Sequence, residues 1–286
     1  MKLTNDVNLG FTKNVSLSCI ESYLIFIFRS NKMEYRYLFG ESYCSFFDIA
    51  KAFIADDVKY AFFYRIPRLQ DTAYKLGVID IKSNNCGSFQ ISPFNLDYSF
   101  YLFKVNQQFI NSQLKFTPWR EDHYIYLKEY QNGRWIYVSE FPQKIGTLTS
   151  DELLSYYDGT YIKIDLLCDH FRQSKISLLN TFISDINKQQ KTYHFSQDID
   201  ALKVRDLLGI LRVSRRRISE FLSMFTECDF ADEYLHNLDQ QYAMVEYMRL
   251  RNIEDYSKLS CLLMKIQKKD IEFTIKLRKV VQGLCQ

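Results

Sequence analysis

The stretch His123-Tyr-Ile-Tyr-Leu-Lys-Glu-Tyr-Gln-Asn-Gly-Arg-Trp-Ile-Tyr-Val-Ser139 decides what kind of fold this chain can adopt. β-Branched and aromatic residues flank Asn132-Gly133, the pair preferred where a two-residue hairpin loop needs positive φ at both positions. The stretch therefore predicts an antiparallel hairpin in which Gln131 faces Arg134 and facing positions sum to 265. On that register Ile125 faces Glu140 and His123 faces Pro142. Alternate residues of a strand share a face, so His123, Ile125 and Glu140 point the same way. His123 and Glu140 become diagonal neighbours, roughly 7–8 Å apart at the backbone.

Around the hairpin, from Lys59 to Leu167, short aromatic and β-branched runs separated by turn residues continue the sheet signal: Tyr60–Tyr64, Val78–Ile81, Tyr98–Phe103 and a closing Tyr161–Leu167. Thr149-Ser-Asp-Glu-Leu-Leu reads as a short capped helix within this region. Upstream, Ser18-Cys-Ile-Glu21 is a capping box that starts a helix over about 19–30. Its apolar residues cover nearly every direction, as in a centrally buried helix. A tyrosine-rich strand near 34–39 and a helix over 45–55 follow. Beyond Lys175 the spacing turns helical, near 176–187, 199–227, 230–251 and 254–284, with Asn187–Ser196 as a linker. The expectation is an α+β chain: a central helix packed on an antiparallel sheet over 1–174, and a C-terminal helical subdomain over 175–286.

Composition narrows the function classes. With 47% hydrophobic and 16% aromatic residues but only 9 Gly and 4 Pro, the 286 residues suit a packed globular chain rather than a disordered one. The longest apolar run, Tyr23–Phe28, is far shorter than the roughly 18 residues that span a bilayer, and Arg29 closes it. The first residues carry no secretory pattern, and the seven cysteines show no paired or zinc-type spacing. Together these predict a cytoplasmic protein without membrane, disulfide framework, metal or cofactor. Six cysteines read as small buried apolar residues. A net charge of +3 is too small to make nucleic acid the main partner. Arg212, Arg215, Arg216 and Arg217 form one local basic cluster, either a contact for an anionic partner or a solvated helix face.

Cys19 differs from the other cysteines. Directly after the Ser18 cap it takes the first helical position, where free amide N–H groups and the positive end of the helix dipole favour a thiolate. A nucleophile needs a base, and the base a third group to orient it. His123 and Glu140 can fill those roles, with Asp122 a weaker rival whose side chain projects to the opposite face. The plainer reading is a buried inert cysteine, a surface strand histidine and a solvated glutamate.

A cysteine on the first buried helix, then Asp122-His123-Tyr-Ile-Tyr-Leu, Trp135-Ile-Tyr-Val-Ser-Glu140-Phe-Pro142 and Thr149-Ser-Asp-Glu-Leu-Leu, resembles the papain-like peptidases that process bacteriocin leaders. It is more similar still to the butirosin biosynthesis protein H-like acyltransferases, which share a Phe-Gly like Phe39-Gly40 after the first helix and a Pro-Trp like Pro118-Trp119 before the histidine. Two positions depart: Lys13 stands where the peptidases carry an oxyanion-hole glutamine, with Asn14 beside it, and Glu140-Phe141-Pro142 replaces the usual Asp-Pro. The resemblance implies a papain-like cysteine-protease-type domain and a Cys19-His123-Glu140 site. The implied reaction moves an acyl group from the pantetheine thioester of an acyl carrier protein, through acyl-Cys19, to a small-molecule amine. The acidic carrier would dock on the arginine cluster. A peptidase or thioesterase on the same site, and a binding module that keeps only the fold, are the alternatives.

Overall fold

The computed structural model describes residues 18–56, 69–85, 99–115, 123–167, 175–188, 191–195 and 199–284. In chain order its elements are α1 (Cys19–Ser30), α2 (Phe46–Ala50, continued by a π-helical turn Lys51–Ala55), α3 (Leu69–Lys75), β1 (Ile79–Asn85) and β2 (Ser99–Val105). They continue with α4 (Gln107–Phe109, extended by a π-helical turn Ile110–Leu114), β3 (His123–Gln131), β4 (Arg134–Ser139), β5 (Lys144–Leu148), α5 (Ser150–Tyr156) and β6 (Tyr157–Leu166). Four helices follow: α6 (Lys175–Asn187), α7 (Ala201–Leu222), α8 (Asp229–Leu250) and α9 (Tyr256–Leu284). The chain is α+β. The expected strand near 34–39 is instead a 3-10 helix, Tyr35–Phe39, and the expected Tyr60–Tyr64 strand lies outside the described residues.

The chain divides into two compact units, Met1–Tyr35 with Leu69–Arg172, and Arg36–Arg68 with Gln173–Gln286. The division differs from the single cut expected at 174/175 in that the described residues 36–56 group with the C-terminal helices. The bonds that hold them there are specific. Cys44 N donates to Ser214 Oγ at 3.1 Å, Ser214 Oγ donates to Ser42 O at 2.7 Å, and Arg215 Nη1 donates to Cys44 O at 2.9 Å.

In the first unit the six strands form one antiparallel sheet in the order β1-β6-β2-β3-β4-β5. The hairpin loop forms as its chemistry requires, with φ of +52° at Asn132 and +77° at Gly133. The sheet has two distinct faces. On one, Tyr126 packs against Tyr23 and Phe26 of α1 and against Phe100 of β2. On the other, Phe103, Val105, Ile125, Leu127, Trp135 and Tyr137 bury against Phe109, Ile110 and Leu153. Each such large apolar side chain contributes roughly 1.5–3 kcal/mol, so strand alternation is firmly specified.

One irregularity changes the reading of the site. Leu127 pairs with Tyr137 but Glu129 pairs with Ile136, so Lys128 is an extra residue, a β-bulge. The side chains require it: Leu127 belongs to the apolar face, and Tyr130 packs in a tilted arrangement against Trp135 of that same face at 4.9 Å between centroids. Leu127 and Tyr130 are three residues apart, which a period of two cannot place on one side. Beyond the bulge facing positions sum to 264, as in Tyr126↔Val138, rather than the expected 265.

The described residues of the second unit are helical apart from connecting segments. Its centre is Arg215 on α7, fully buried and held by both oxygens of Asp270 on α9 at 2.8 Å each. Tyr234 on α8 donates to the same carboxylate at 2.7 Å. Residues 191–195 are tied down rather than loose: Tyr193 N donates to Gln267 Oε1 at 2.9 Å, and Phe195 packs on Phe46. No described helix is long and apolar enough to cross a membrane.

Candidate active site

The capping box at the start of α1 forms in full: Glu21 N donates to Ser18 Oγ at 3.3 Å, and Ser18 N donates to Glu21 Oε2 at 3.0 Å. The second Glu21 oxygen accepts Leu69 N at 3.3 Å, which joins this helix end to α3. Cys19 is the first helical residue and only partly exposed. Four residues on, Tyr23 is completely buried. Its hydroxyl lies 3.0 Å from Tyr124 O and 3.0 Å from Val138 O, and accepts Glu140 N at 3.1 Å. One side chain of α1 thus grips β3 and the chain just beyond β4.

This grip brings Glu140 to Cys19. Glu140 lies close enough for its charge to act on the Cys19 thiol, and Cys19 and Ser22 act in turn on its carboxyl. Burial, then the Glu140 charge and hydrogen bond, push the Cys19 thiol up to about 12, while the backbone N–H groups of Tyr124 and of Cys19 itself act the other way. Burial also raises the Glu140 carboxyl, against its two hydrogen bonds. At neutral pH the sulfur is therefore a protonated thiol beside an acidic side chain. The helix end alone favours a thiolate, but desolvation and the neighbouring negative charge outweigh it.

His123 lies elsewhere. It opens β3 opposite Val105, in regular pairing that runs to Leu127, and so shares the face of Ile125 and Leu127, away from α1. The expected placement of Glu140 behind it is corrected by the Lys128 bulge. A one-residue slip moves a side chain to the other face, so Ser139 and not Glu140 stands diagonal to His123. His123 Nε2 is 3.3 Å from Ser139 Oγ, which in turn donates to Phe141 O at 3.4 Å. With the serine hydrogen directed to that carbonyl, Nε2–H is the donor and Nδ1 the basic nitrogen. Burial alone lowers the His123 pKa to about 4, so the ring is neutral at pH 7.

The structure therefore assembles two pairs on opposite faces of the sheet, Cys19–Glu140 and His123–Ser139, in place of one expected triad. Ser139 and Tyr23 are the residues that sequence reasoning missed. The break in phase between Leu127 and Tyr130 was the available signal for Ser139; Tyr23 read only as core. Lys13, Asn14, Pro118, Trp119 and Asp122 lie outside the described residues. Among the described cysteines, Cys44 is buried, but Cys261 is exposed, contrary to the reading of it as core.

The arginine cluster is also corrected. Arg215 is enclosed in the α7–α9 ion pair and Arg217 is buried at 3% exposure, while Arg212 and Arg216, one turn apart, both pair with Asp239 of α8. Helical periodicity separates four nearly adjacent arginines into core and pairing roles. They form no exposed basic patch.

Among the described residues no group of three His, Cys, Asp or Glu side chains could hold a metal ion. Compared with known proteins, the chain matches no family model and no curated protein.

Proposed function

We propose that the chain is an acyltransferase with a papain-like first unit. It takes an acyl group from an acyl carrier protein thioester onto Cys19 and passes it to an amine, in the reducing cytoplasm where a free thiol persists. The observation that carries this reading is the Cys19 thiol, on the first turn of a capped helix, with the Glu140 charge acting on it. In the first step the Glu140 carboxylate takes the thiol proton as sulfur attacks the thioester carbonyl. The tetrahedral intermediate then expels the pantetheine sulfur, which recovers that proton. In the second step the amine attacks acyl-Cys19 and gives its proton to Glu140, and the departing Cys19 sulfur takes it back. The Tyr124 and Cys19 N–H groups beside the sulfur are donors suited to the developing charge. His123 serves as a positioning residue on the far face, holding Ser139 at the end of β4 and so the residue after it.

Intact-protein mass spectrometry with an acyl-loaded carrier and no acceptor tests this. Wild type should gain one acyl group that an added amine discharges, and Cys19→Ala should gain none. No adduct from a range of loaded carriers would sink the reading. The alternative, a binding module retaining the fold, is favoured by one observation: a thiol held at about 12 is poorly nucleophilic at neutral pH. Under that reading substrate binding never changes the reactivity of Cys19 toward iodoacetamide.

A further inference from the structure

Helix α9 carries a second feature outside the candidate site. Its buried stripe, including Leu259, Leu263, Ile266, Phe273 and Leu277, faces the helical core. Its opposite face exposes Lys258, Lys265, Lys268, Lys269, Lys276 and Lys279, with Glu272 as the one carboxylate among them. From Lys258 to Lys279 this face is about 32 Å long at 1.5 Å per residue. Lys269 donates to Asn237 Oδ1 at 3.2 Å. None of the other five side-chain ammonium groups has an ion pair or hydrogen bond among the described residues, Lys258 donating to Asp255 only through its backbone N–H.

Six lysines against one glutamate leave five positive charges on this face, more than the whole chain's formal +3. The rest of the molecule is thus slightly acidic. Glu272 stands at i,i+4 from both Lys268 and Lys276, so the unbalanced lysines of the face are Lys258, Lys265, Lys269 and Lys279. Three large apolar side chains lie exposed on the same helix, Tyr256 at 39%, Met264 at 52% and Ile275 at 46%.

We infer that this face of α9 docks an acidic protein surface. On the function proposed above, on which this identification rests, that surface belongs to the acyl carrier protein. Protein interfaces combine apolar anchors, methionine among them, with a charged rim. A nucleic acid would instead call for arginines that fork onto phosphate and aromatics that stack on bases, and this face has neither. An extended polyanion would also meet the acidic remainder of the chain.

The test is association of the full chain with a recombinant holo-acyl carrier protein at low and at physiological ionic strength. Lys265→Glu/Lys268→Glu/Lys276→Glu should slow association at low salt by about tenfold or more and flatten its salt dependence. The neutral Lys265→Gln/Lys268→Gln/Lys276→Gln variant should give a smaller loss of the same kind, which guards against misfolding of the reversed one. Lys32→Glu/Lys51→Glu/Lys115→Glu makes the same change in net charge at exposed sites elsewhere and should leave association within about threefold. Equal losses in both reversed triples, no loss in the α9 triple, or tighter lysine-dependent binding to a DNA duplex or phosphatidylserine vesicles would each overturn the inference. Lysine-dependent carrier binding without any acyl-Cys19 would remove the proposed reaction and leave the docking surface. Acyl-Cys19 formed at an unchanged rate in the α9 triple would do the reverse.

Discussion

Replacing Glu140 by Gln should move two properties of Cys19 in opposite directions. The thiol stands at about 12, well above its ordinary value, with burial the largest cause and the Glu140 charge next. The amide keeps the shape and a hydrogen-bonding oxygen for Ser22 but removes the charge, so the thiol should fall by about one to two units. Each unit increases the thiolate population about tenfold while costing about threefold in intrinsic nucleophilicity, a net gain of about threefold. Native-state alkylation by iodoacetamide at pH 8, read at Cys19 by peptide mass spectrometry, should therefore speed up about threefold to tenfold in Glu140→Gln. Acyl transfer should fall, by about a hundredfold or more, because the group that accepts the thiol proton is gone. Alkylation that is unchanged or slower would refute the electrostatic coupling of Glu140 to Cys19. Faster alkylation with undiminished transfer would refute Glu140 as the base.

Two further outcomes follow from buried ionisable groups. His123 titrates at about 4 in the folded protein, below its ordinary 6.5, so the unfolded chain binds the proton first as pH falls. The stability contributed by neutral His123 is complete above pH 6.5 and lost as pH drops toward 4, about 2 kcal/mol by pH 5. Urea unfolding at pH 7 and pH 5 should show that loss in wild type and a markedly smaller one in His123→Asn. Arg215→Met, which leaves the Asp270 carboxylate buried without its guanidinium, should destabilise the second unit by about 3–5 kcal/mol, and adding Asp270→Leu should restore much of it. A single variant as stable as wild type in thermal unfolding would contradict the burial of that pair.

Much of the fold was legible because its signals are local. The Ser18–Glu21 and Thr149–Glu152 capping boxes both form, the Asn132-Gly133 loop has its two positive φ values, and the four C-terminal helical stretches correspond to α6–α9. The errors arose where position depends on tertiary packing. Tyr35–Phe39 is rich enough in aromatics to pass for a strand, yet buries Tyr37, Leu38 and Phe39 from a 3-10 helix, a tertiary override of β propensity. Arg215 is charged and still occupies the core, because Asp270, fifty-five residues away, answers it. No local pattern announces such a partner.

The site was half legible for the same reason. Cys19 at a helix start follows from the cap alone, whereas the partner of Cys19 depends on a register set by the bulge at Lys128, twelve residues before Glu140. Counting from the loop assumes an unbroken ladder, and the single residue Lys128 exchanges Glu140 for Ser139 on His123's face. Tyr23 then excludes an easy return to the expected triad. Its hydroxyl fixes Tyr124 O, Val138 O and Glu140 N together on the α1 side, and burial of the phenol makes release costly. For His123 to reach the Cys19 sulfur, its strand end would have to turn its side chain through the sheet and abandon Ser139. Any proton transfer from Cys19 in this arrangement must therefore use a group on the α1 face, and Glu140 is the acidic side chain whose charge acts on the thiol there.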